Sequence, residues 1–241
     1  ASRGLVMNLV CEQSVVGPLL RCVRSLARRV VLAVFIVIVA LSNANSATIR
    51  VKSSGNDSNS GADWDHAKAT VSAAIQAAQA NDEVWIAAGV YRERIANRVV
   101  ADVSVDIALY GGFAGTETSR DQRNVANNAT ILDGDALGSV VTIDHNASRA
   151  MRIDGLRIRN GTSGQGGGIA VLASAPTIIN NDVLGNQADF GGGIMVWGYR
   201  ALAPSAQALV ESNVIQVNHA SDGGGGIVLV GSSAEIRNNT I

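Results

Sequence analysis

The last ninety residues repeat one spacing of apolar positions, with mostly polar residues between them. Two aliphatic residues stand five positions apart in four successive places: Ile153 with Ile158, Ile178 with Val183, Val210 with Ile215, and Ile236 with Ile241. The residues around these pairs are rich in Gly, Asn, Ser and Asp, which favour turns. The pairs lack the 3.6-residue period of a helix, and many of their members are β-branched. The pattern therefore predicts short β-strands separated by tight turns.

Glycine runs add a longer period to this pattern. A run that ends in isoleucine follows each of the first three pairs, and the isoleucines are Ile169, Ile194 and Ile227. The steps from Ile143 through these three residues are 26, 25 and 33 positions, and the longest step contains an inserted loop at 198–206. A regular period of this length indicates stacked repeats that bury their apolar faces against one another. We therefore predict an all-β fold, a parallel β-helix with two or three short strands per coil of about 25 residues.

Asparagines stand beside the apolar pairs at similar places in each repeat. We interpret them as turn residues that hydrogen-bond from one coil to the next, in preference to ligand contacts. They are Asn180, Asn181, Asn186, Asn213, Asn218, Asn238 and Asn239.

Residues 48–98 have a different pattern and are predicted to form an N-terminal cap. A strand begins at Thr48, and a helical stretch from Asp65 to Ala80 places Val71, Ala74, Ile75 and Ala78 on one face. A buried strand follows from Glu83. Aromatic side chains in this region are interpreted as the core of the cap, with a sugar-stacking platform as the alternative. They are Trp64, Trp85 and Tyr91.

The repeat units resemble those of a known superfamily. The stretches from Asn186 to Ile194 and from Asn218 to Ile227 are similar to repeats of right-handed parallel β-helix proteins of the pectate-lyase-like superfamily. They resemble in particular the Gly-Gly-Ala-Ile repeats of polymorphic outer-membrane proteins and related bacterial surface proteins. The resemblance covers about residues 48–241 and implies a right-handed β-helix (residues 99–241) whose open end is covered by a capping helix. It does not select a function, because lyases, hydrolases, adhesins and passenger domains share this fold.

Residues 1–47 are predicted to be a secretory signal region. Arg28 and Arg29 precede twelve uninterrupted apolar residues, 30–41, and a small polar stretch follows up to Ala47. A transmembrane helix needs about 20 apolar residues, so an uncleaved anchor is the weaker alternative. We expect cleavage after Ala47 or, as the alternative, after Ala44, and a secreted, cell-surface or outer-membrane location. The only cysteines, Cys11 and Cys22, lie in this region, so the mature chain would have none.

Charge narrows the range of partners. The whole chain has a formal net charge of −1, and residues 1–47 hold five arginines and one acidic residue. The remainder therefore has 14 basic and 19 acidic residues, a composition that argues against nucleic acid as a partner. Contact with a membrane is expected only through export or through an anchor beyond residue 241. The chain is expected to be truncated, because Ile241 lies inside a coil.

The candidate ligand-binding group is the basic segment that contains Arg152, Asp154, Arg157 and Arg159. If Ile153 and Ile158 point inward, strand alternation places these four side chains on the outer surface. There they would meet a carboxylated sugar. The alternative is a solvated surface on which arginines and aspartates pair with one another.

Two further sets of charged residues are candidates for ions or ion pairs. Asp189 and Asp222 precede glycine runs at matching places and are expected to stack, which makes them the candidate metal ligands, for calcium if for any ion. No other cofactor is expected. A long loop after Tyr110 carries charged residues that are expected to pair with one another, namely Glu117, Arg120, Asp121 and Arg123.

These features favour an exported, non-catalytic β-helix protein with a binding, adhesion or display role toward polysaccharide or a cell-surface glycan. One alternative is a polysaccharide lyase or glycoside hydrolase that acts on polyuronates and has its catalytic coils beyond residue 241. The resemblance implies a calcium cluster with a basic residue for such a lyase and a close set of aspartates for such a hydrolase. Neither set can be matched residue by residue. Another alternative is the passenger domain of an autotransporter.

Overall fold

The computed structural model describes residues 46–93, 99–144, 148–198 and 207–241. In these residues twenty strands form four sheets, and every neighbouring pair of strands is parallel. Three repeat units span residues 152–172, 177–197 and 208–230. Each unit contributes four strands, one to each of the four sheets. Each sheet therefore grows by one strand per unit, as in an all-β, parallel, solenoid-like fold.

Sheet 1 is the longest sheet and connects the N-terminal region with all three units. Its seven strands, in spatial order, are β1 (Thr48–Val51), β2 (Glu83–Ala87), β5 (Ala108–Phe113), β8 (Arg152–Asp154), β12 (Thr177–Ile179), β16 (Ala208–Glu211) and β20 (Ala234–Arg237). Spatial order follows chain order, so every pass of the chain lies on the previous pass.

The other three sheets follow the same rule. Sheet 2 consists of β3 (Gly89–Tyr91), β6 (Thr130–Asp133), β9 (Arg157–Arg159), β13 (Asp182–Leu184) and β17 (Val214–Gln216). Sheet 3 consists of β4 (Ala101–Val103), β7 (Val141–Ile143), β11 (Ile169–Leu172), β15 (Ile194–Trp197) and β19 (Ile227–Val230). Sheet 4 consists of β10 (Thr162–Gln165), β14 (Gln187–Phe190) and β18 (His219–Gly223).

Sheets 1, 2 and 3 surround one continuous apolar core. The first three apolar pairs of the repeat point into it and are buried, as is the isoleucine after each of the first two glycine runs. These inward assignments are confirmed. The fourth pair differs, because Ile236 is 40% exposed and Ile241 is 68% exposed. Ile236 lies on β20, the last strand of sheet 1, and so has a strand neighbour on one side only.

One expected register is wrong. Ile143 was expected to lie one period before Ile169, but Val141 lies opposite Ile169 and Ile143 lies opposite Val171. The offset is therefore 28 positions (141 to 169) instead of 26. Val141 and Ile143 both point inward, so the apolar pattern allows either match. The backbone decides, since the N–H of Val141 donates to the carbonyl of Gly168 at 3.0 Å.

Sheet 4 was not expected, since two or three strands per coil were predicted and each unit has four. Its sequences are polar, and of its residues only Ala188 is buried. The glycine runs make this extra strand feasible. The first glycine of the turn has positive φ, as at Gly191 (+67°), and the next has no room for a side chain. A Cβ on Gly192 would lie 2.2 Å from the carbonyl oxygen of His219.

Two asparagine ladders connect the units, as the sequence predicts. In one ladder the side-chain N–H of Asn181 donates to Asn213 Oδ1 at 3.1 Å, and Asn213 donates to Asn239 Oδ1 at 3.0 Å. Asn186 donates to Asn218 in the second ladder at 3.0 Å. Each side chain also donates to a backbone carbonyl of the preceding unit, such as Ile178 O for Asn213 at 2.9 Å. The ladders therefore satisfy polar groups at the turns where the β-sheet ladder is interrupted.

The N-terminal helix is shorter than predicted. Helix α1 spans Val71–Ala77, and Thr70 caps its first turn by accepting from the N–H of Ala73 at 3.2 Å. The residues before it pair with β1 instead, since Lys68 N donates to Arg50 O at 2.9 Å. This pairing covers the outer edge of sheet 1, which would otherwise expose unpaired backbone groups.

A second apolar cluster lies on the outer face of sheet 1. It consists of Trp64, Ala67, Trp85, Ala87, Tyr110 and Phe113, and the rings of Trp85 and Phe113 stack with centroids 4.8 Å apart. The guanidinium of Arg50 lies over both tryptophans. Tyr91 is buried in the main core, where its hydroxyl donates to Ala87 O at 3.0 Å. Trp64, Trp85 and Tyr91 are therefore core residues, which leaves none of them as an exposed sugar-stacking platform.

Some stretches of the sequence-based predictions lie outside the described residues: the signal region up to residue 45, the end of the predicted cap at 94–98, and most of the inserted loop, 199–206. None of the helices in the described part of the chain is long and apolar enough to span a membrane.

Candidate functional site

The basic segment spans the turn that connects a strand of sheet 1 to the next strand, which belongs to sheet 2. Arg152 and Asp154 belong to β8, and Arg157 and Arg159 belong to β9 on the next sheet. The three arginine side chains are partly exposed on the outer surface, as alternation predicts. Each of them is already in contact with a carboxylate.

Asp154 is not exposed, which corrects the sequence-based expectation. The residue is 4% exposed although its side chain points away from the core. Arg123 covers it and donates to Oδ1 at 2.8 Å, while Arg152 donates to Oδ2 at 3.2 Å. Asn180 of the next unit donates to Oδ1 at 3.3 Å. Strand alternation predicts only the direction in which the Asp154 side chain points. It cannot predict that Arg123, from a loop distant in sequence, covers this side chain and shields it from solvent.

Asp133 forms a second centre that the sequence did not reveal. Its side chain is 1% exposed and accepts from Arg92 and Arg159, each at 3.1 Å, and from Asn160 at 3.0 Å. Burial alone would raise the pKa of this carboxyl, but the hydrogen bonds from Asn160, Asp135 N–H, Arg92 and Arg159 lower it overall. The parallel register places Asp133 opposite Arg159. Without that register, the two residues appear only as members of separate segments.

Arg157 has the most exposed of these contacts. It pairs with Asp182, which lies opposite it on β13, at 3.2 Å, and both side chains are 42% exposed. An exposed pair of this kind contributes about 0–1 kcal/mol. The basic segment as a whole is therefore a row of arginine–aspartate pairs, and an incoming carboxylated sugar would compete with carboxylates that are already bound.

The charged residues of the long loop do not pair with one another as expected. Arg120 contacts Glu83 of β2, and Arg123 reaches Asp154 of β8. The carboxylate of Glu117 accepts from three backbone N–H groups of its own loop, at residues 114, 115 and 116. Burial opposes the ionised form of Glu117, but these bonds lower its pKa overall. The loop is thus anchored to sheet 1.

The candidate metal ligands Asp189 and Asp222 lie close together on the exposed sheet 4. A register irregularity places two residues of β18, Ser221 and Asp222, opposite the single Asp189 of β14. The Ser221 hydroxyl lies 3.3 Å from Asp189 Oδ1 and 3.2 Å from Asp222 Oδ2. Calcium takes six to eight oxygen ligands. No group of three or more His, Cys, Asp or Glu side chains in the described part of the chain is arranged to hold a metal.

Sheet 4 presents a row of hydrogen-bonding side chains to solvent, which we name the polar strip. Alternation puts Gln187 and Asp189 on the same face of β14, and the register continues this face onto β10 and β18. The polar strip consists of Thr162, Gln187, Asp189, His219 and Ser221. All five residues are exposed. Sequence reasoning identified only Asp189 here, because the remaining residues resemble ordinary turn residues.

Comparison with models of protein families identifies a match over most of the chain. The model of a family described as "Protein of unknown function (DUF1565)" matches residues 53–241, which is 189 of the 241 residues. Its match and the all-parallel sheets both fit a β-helix. No curated protein and no solved structure matches the chain.

Proposed function

We propose that this chain, which belongs to the DUF1565 family of proteins of unknown function, is an exported β-helix protein. In this proposal it binds polysaccharide through its polar strip. In its finer form the proposed fold is a right-handed β-helix of the pectate-lyase-like kind, with about 25 residues per coil and an N-terminal cap. The opposition of Ile169 and Ile194, which are 25 positions apart, supports this coil length. Its proposed location is the cell surface or the extracellular space.

The observation that carries the binding role is the repetition of an exposed strand that contributes little to the core. Each of the three units inserts four or five residues of sheet 4 between β-strands of sheets 2 and 3. Only Ala188 in these strands is buried. The insertion also requires glycines where it closes, since a Cβ on Gly167 would lie 2.4 Å from Gln187 O and a Cβ on Gly192 would lie 2.2 Å from His219 O. Every unit thus contains a strand that constrains the neighbouring backbone and adds little to core packing. This repetition favours a functional role for the exposed face of sheet 4.

The chemistry of the polar strip fits a hydroxylated chain. Hydroxyl, amide, carboxylate and imidazole groups stand on adjacent strands, which are about 4.8 Å apart. Such a row can donate to and accept from several sugar hydroxyls at once. Because Asp189 of the strip and the neighbouring Asp222 would repel anions, the strip favours a neutral polysaccharide over a polyuronate.

Binding measurements with soluble polysaccharides test this proposal. Calorimetry or affinity electrophoresis would compare a neutral glucan or xylan with polygalacturonate. The triple variant Gln187→Ala, Asp189→Ala, Ser221→Ala should lose at least about tenfold in affinity for the neutral polymer, which corresponds to about 1.4 kcal/mol. The control variant Arg157→Ala lies outside the strip and should bind like the parent.

Other outcomes favour the other interpretations. If the parent binds polygalacturonate and Arg157→Ala does not, the basic segment would be the binding site in place of the polar strip. Calcium-dependent release of unsaturated sugars would favour a polysaccharide lyase. Equal binding by the parent and the triple variant, or no binding to any polymer, would overturn the polar strip as the site.

A further inference from the structure

The backbone N–H of Ala47 donates to a buried carboxylate. The acceptor is Oδ1 of Asp82 at 2.8 Å, and the other oxygen of Asp82 accepts from Gln79 N–H at 2.7 Å. Asp82 is 7% exposed. Among the residues that the structure describes, no cation forms a salt bridge with it. A buried carboxylate is costly unless a positive charge or several hydrogen bonds compensate for it.

We infer that the leader is cleaved between Ser46 and Ala47, so that the new α-ammonium group of Ala47 forms an ion pair with Asp82. This inference rests on the proposed export of the protein. Hydrolysis breaks the C–N bond between the two residues. Water supplies the hydroxyl of the Ser46 carboxyl group and a proton for the Ala47 amine, which takes a second proton from solvent. The hydrogen bond to Asp82 then becomes a charge-assisted one.

The local sequence supports this bond as the cleavage site. Export leaders end in small residues at the first and third positions before the cut. Cleavage before Ala47 places Ser46 and Ala44 there, whereas cleavage after Ala47 places Asn45 at the third position. Ser46 and Ala47 are also exposed, so the bond between them is accessible to a leader peptidase.

The alternative cuts fit the structure less well. Cleavage after Ala47 would remove both the donor to Asp82 and the carbonyl that accepts from Glu83 N–H at 2.8 Å. Cleavage after Ala44 would keep these bonds, but the N–H of Ala47 would remain an uncharged amide. Only the cut before Ala47 retains both contacts and places a positive charge against Asp82.

N-terminal sequencing and intact mass of the exported product test the position. The full chain, expressed with its leader in a secreting bacterial host, should give a product that begins at Ala47. The substitution Ser46→Leu should abolish that product, and the control Asn45→Leu, at the tolerant second position, should leave it. A product that begins at Asn45 or Thr48 would overturn the inference and leave export intact. Retention of the uncleaved chain inside the cell would overturn the export proposal itself.

Thermal unfolding tests the ion pair separately. Acetylation of the Ala47 amine keeps the N–H donor and removes the charge, and it should lower the Tm of the processed protein by about 2–4 °C. In Asp82→Asn the same acetylation should change the Tm by much less, because the partner charge is absent. Equal Tm values for the free and acetylated parent would overturn the ion pair.

Discussion

Arg123 lies across the outer face of sheet 1 and donates from Nη2 to Asp154 Oδ1 at 2.8 Å. The two residues are separated by 31 positions, and their side chains are 17% and 5% exposed. The pair fastens the loop after β5 to the first strand of the repeat units. It also removes from solvent a carboxylate that the sequence pattern alone would leave exposed.

Replacement of Arg123 by methionine should destabilise the protein by about 1–3 kcal/mol, because Asp154 would remain buried with fewer donors. Arg152 and Asn180 still contact the carboxylate, which keeps the cost below that of a fully unpaired charge. Urea unfolding measures the change. The matched control is Arg157→Met, whose pair with Asp182 is largely exposed, and its cost should stay below about 0.5–1 kcal/mol. A larger effect in the control would contradict the assignment.

The asparagine ladder should be sensitive at its centre. Asn213 is buried and takes part in four side-chain hydrogen bonds, two as donor and two as acceptor. Asn213→Ala leaves buried backbone and side-chain groups without partners, so we expect a loss of about 2–4 kcal/mol in the free energy of unfolding. Chemical denaturation would measure it. Gln216→Ala, at an exposed position of the neighbouring strand β17, should have little effect, and similar losses in both variants would argue against the ladder.

The glycine runs should tolerate substitution unequally. Gly192→Ala places a Cβ 2.2 Å from the carbonyl oxygen of His219, a backbone atom that cannot move without shifting β18. We expect a loss of about 3 kcal/mol or failure to fold. Gly164→Ala is the control, since its nearest neighbour would be Asp189 Oδ2 at 3.5 Å, an ordinary contact. Expression yield and Tm compare the two. A stable Gly192→Ala variant would show that close backbone approach is not what requires glycine there.

Acid should weaken the protein partly through Asp133. Hydrogen bonds from Asn160, Asp135 N–H and two arginines hold its pKa below the ordinary value despite burial. A carboxyl with a lowered folded-state pKa stabilises the fold above its unfolded-state pKa of about 3.9, and this contribution is lost as pH falls through the folded value. The Tm should therefore decline below about pH 4. In Asp133→Asn this decline should be shallower, although the variant should be less stable at pH 7. An unchanged dependence of Tm on pH in Asp133→Asn would show that Asp133 does not contribute to the loss of stability in acid.

The position of the core was predictable from particular residues. Ile153 and Ile158 stand five positions apart, and the same spacing returns at Ile178 and Val183, so their inward orientation follows from repetition alone. The asparagine ladders follow in the same way, because identical residues at identical places in stacked units must lie above one another.

The candidate sites were less predictable. Asp133 meets Arg159, and Arg123 meets Asp154, across 26 and 31 positions, and neither pair has a local signature. The short polar strands of sheet 4 resemble turns, because the three exposed residues in each of them show no apolar alternation.

The sequence by itself determined the parallel stack, its inward rows and its asparagine ladders. All three depend on periods that recur within a few residues or from one unit to the next. The tertiary structure alone decided the register at Ile143, the burial of Asp154 and the existence of the polar strip. These features depend on backbone hydrogen bonds and on side chains from distant loops, whose positions are fixed only when the whole stack has formed.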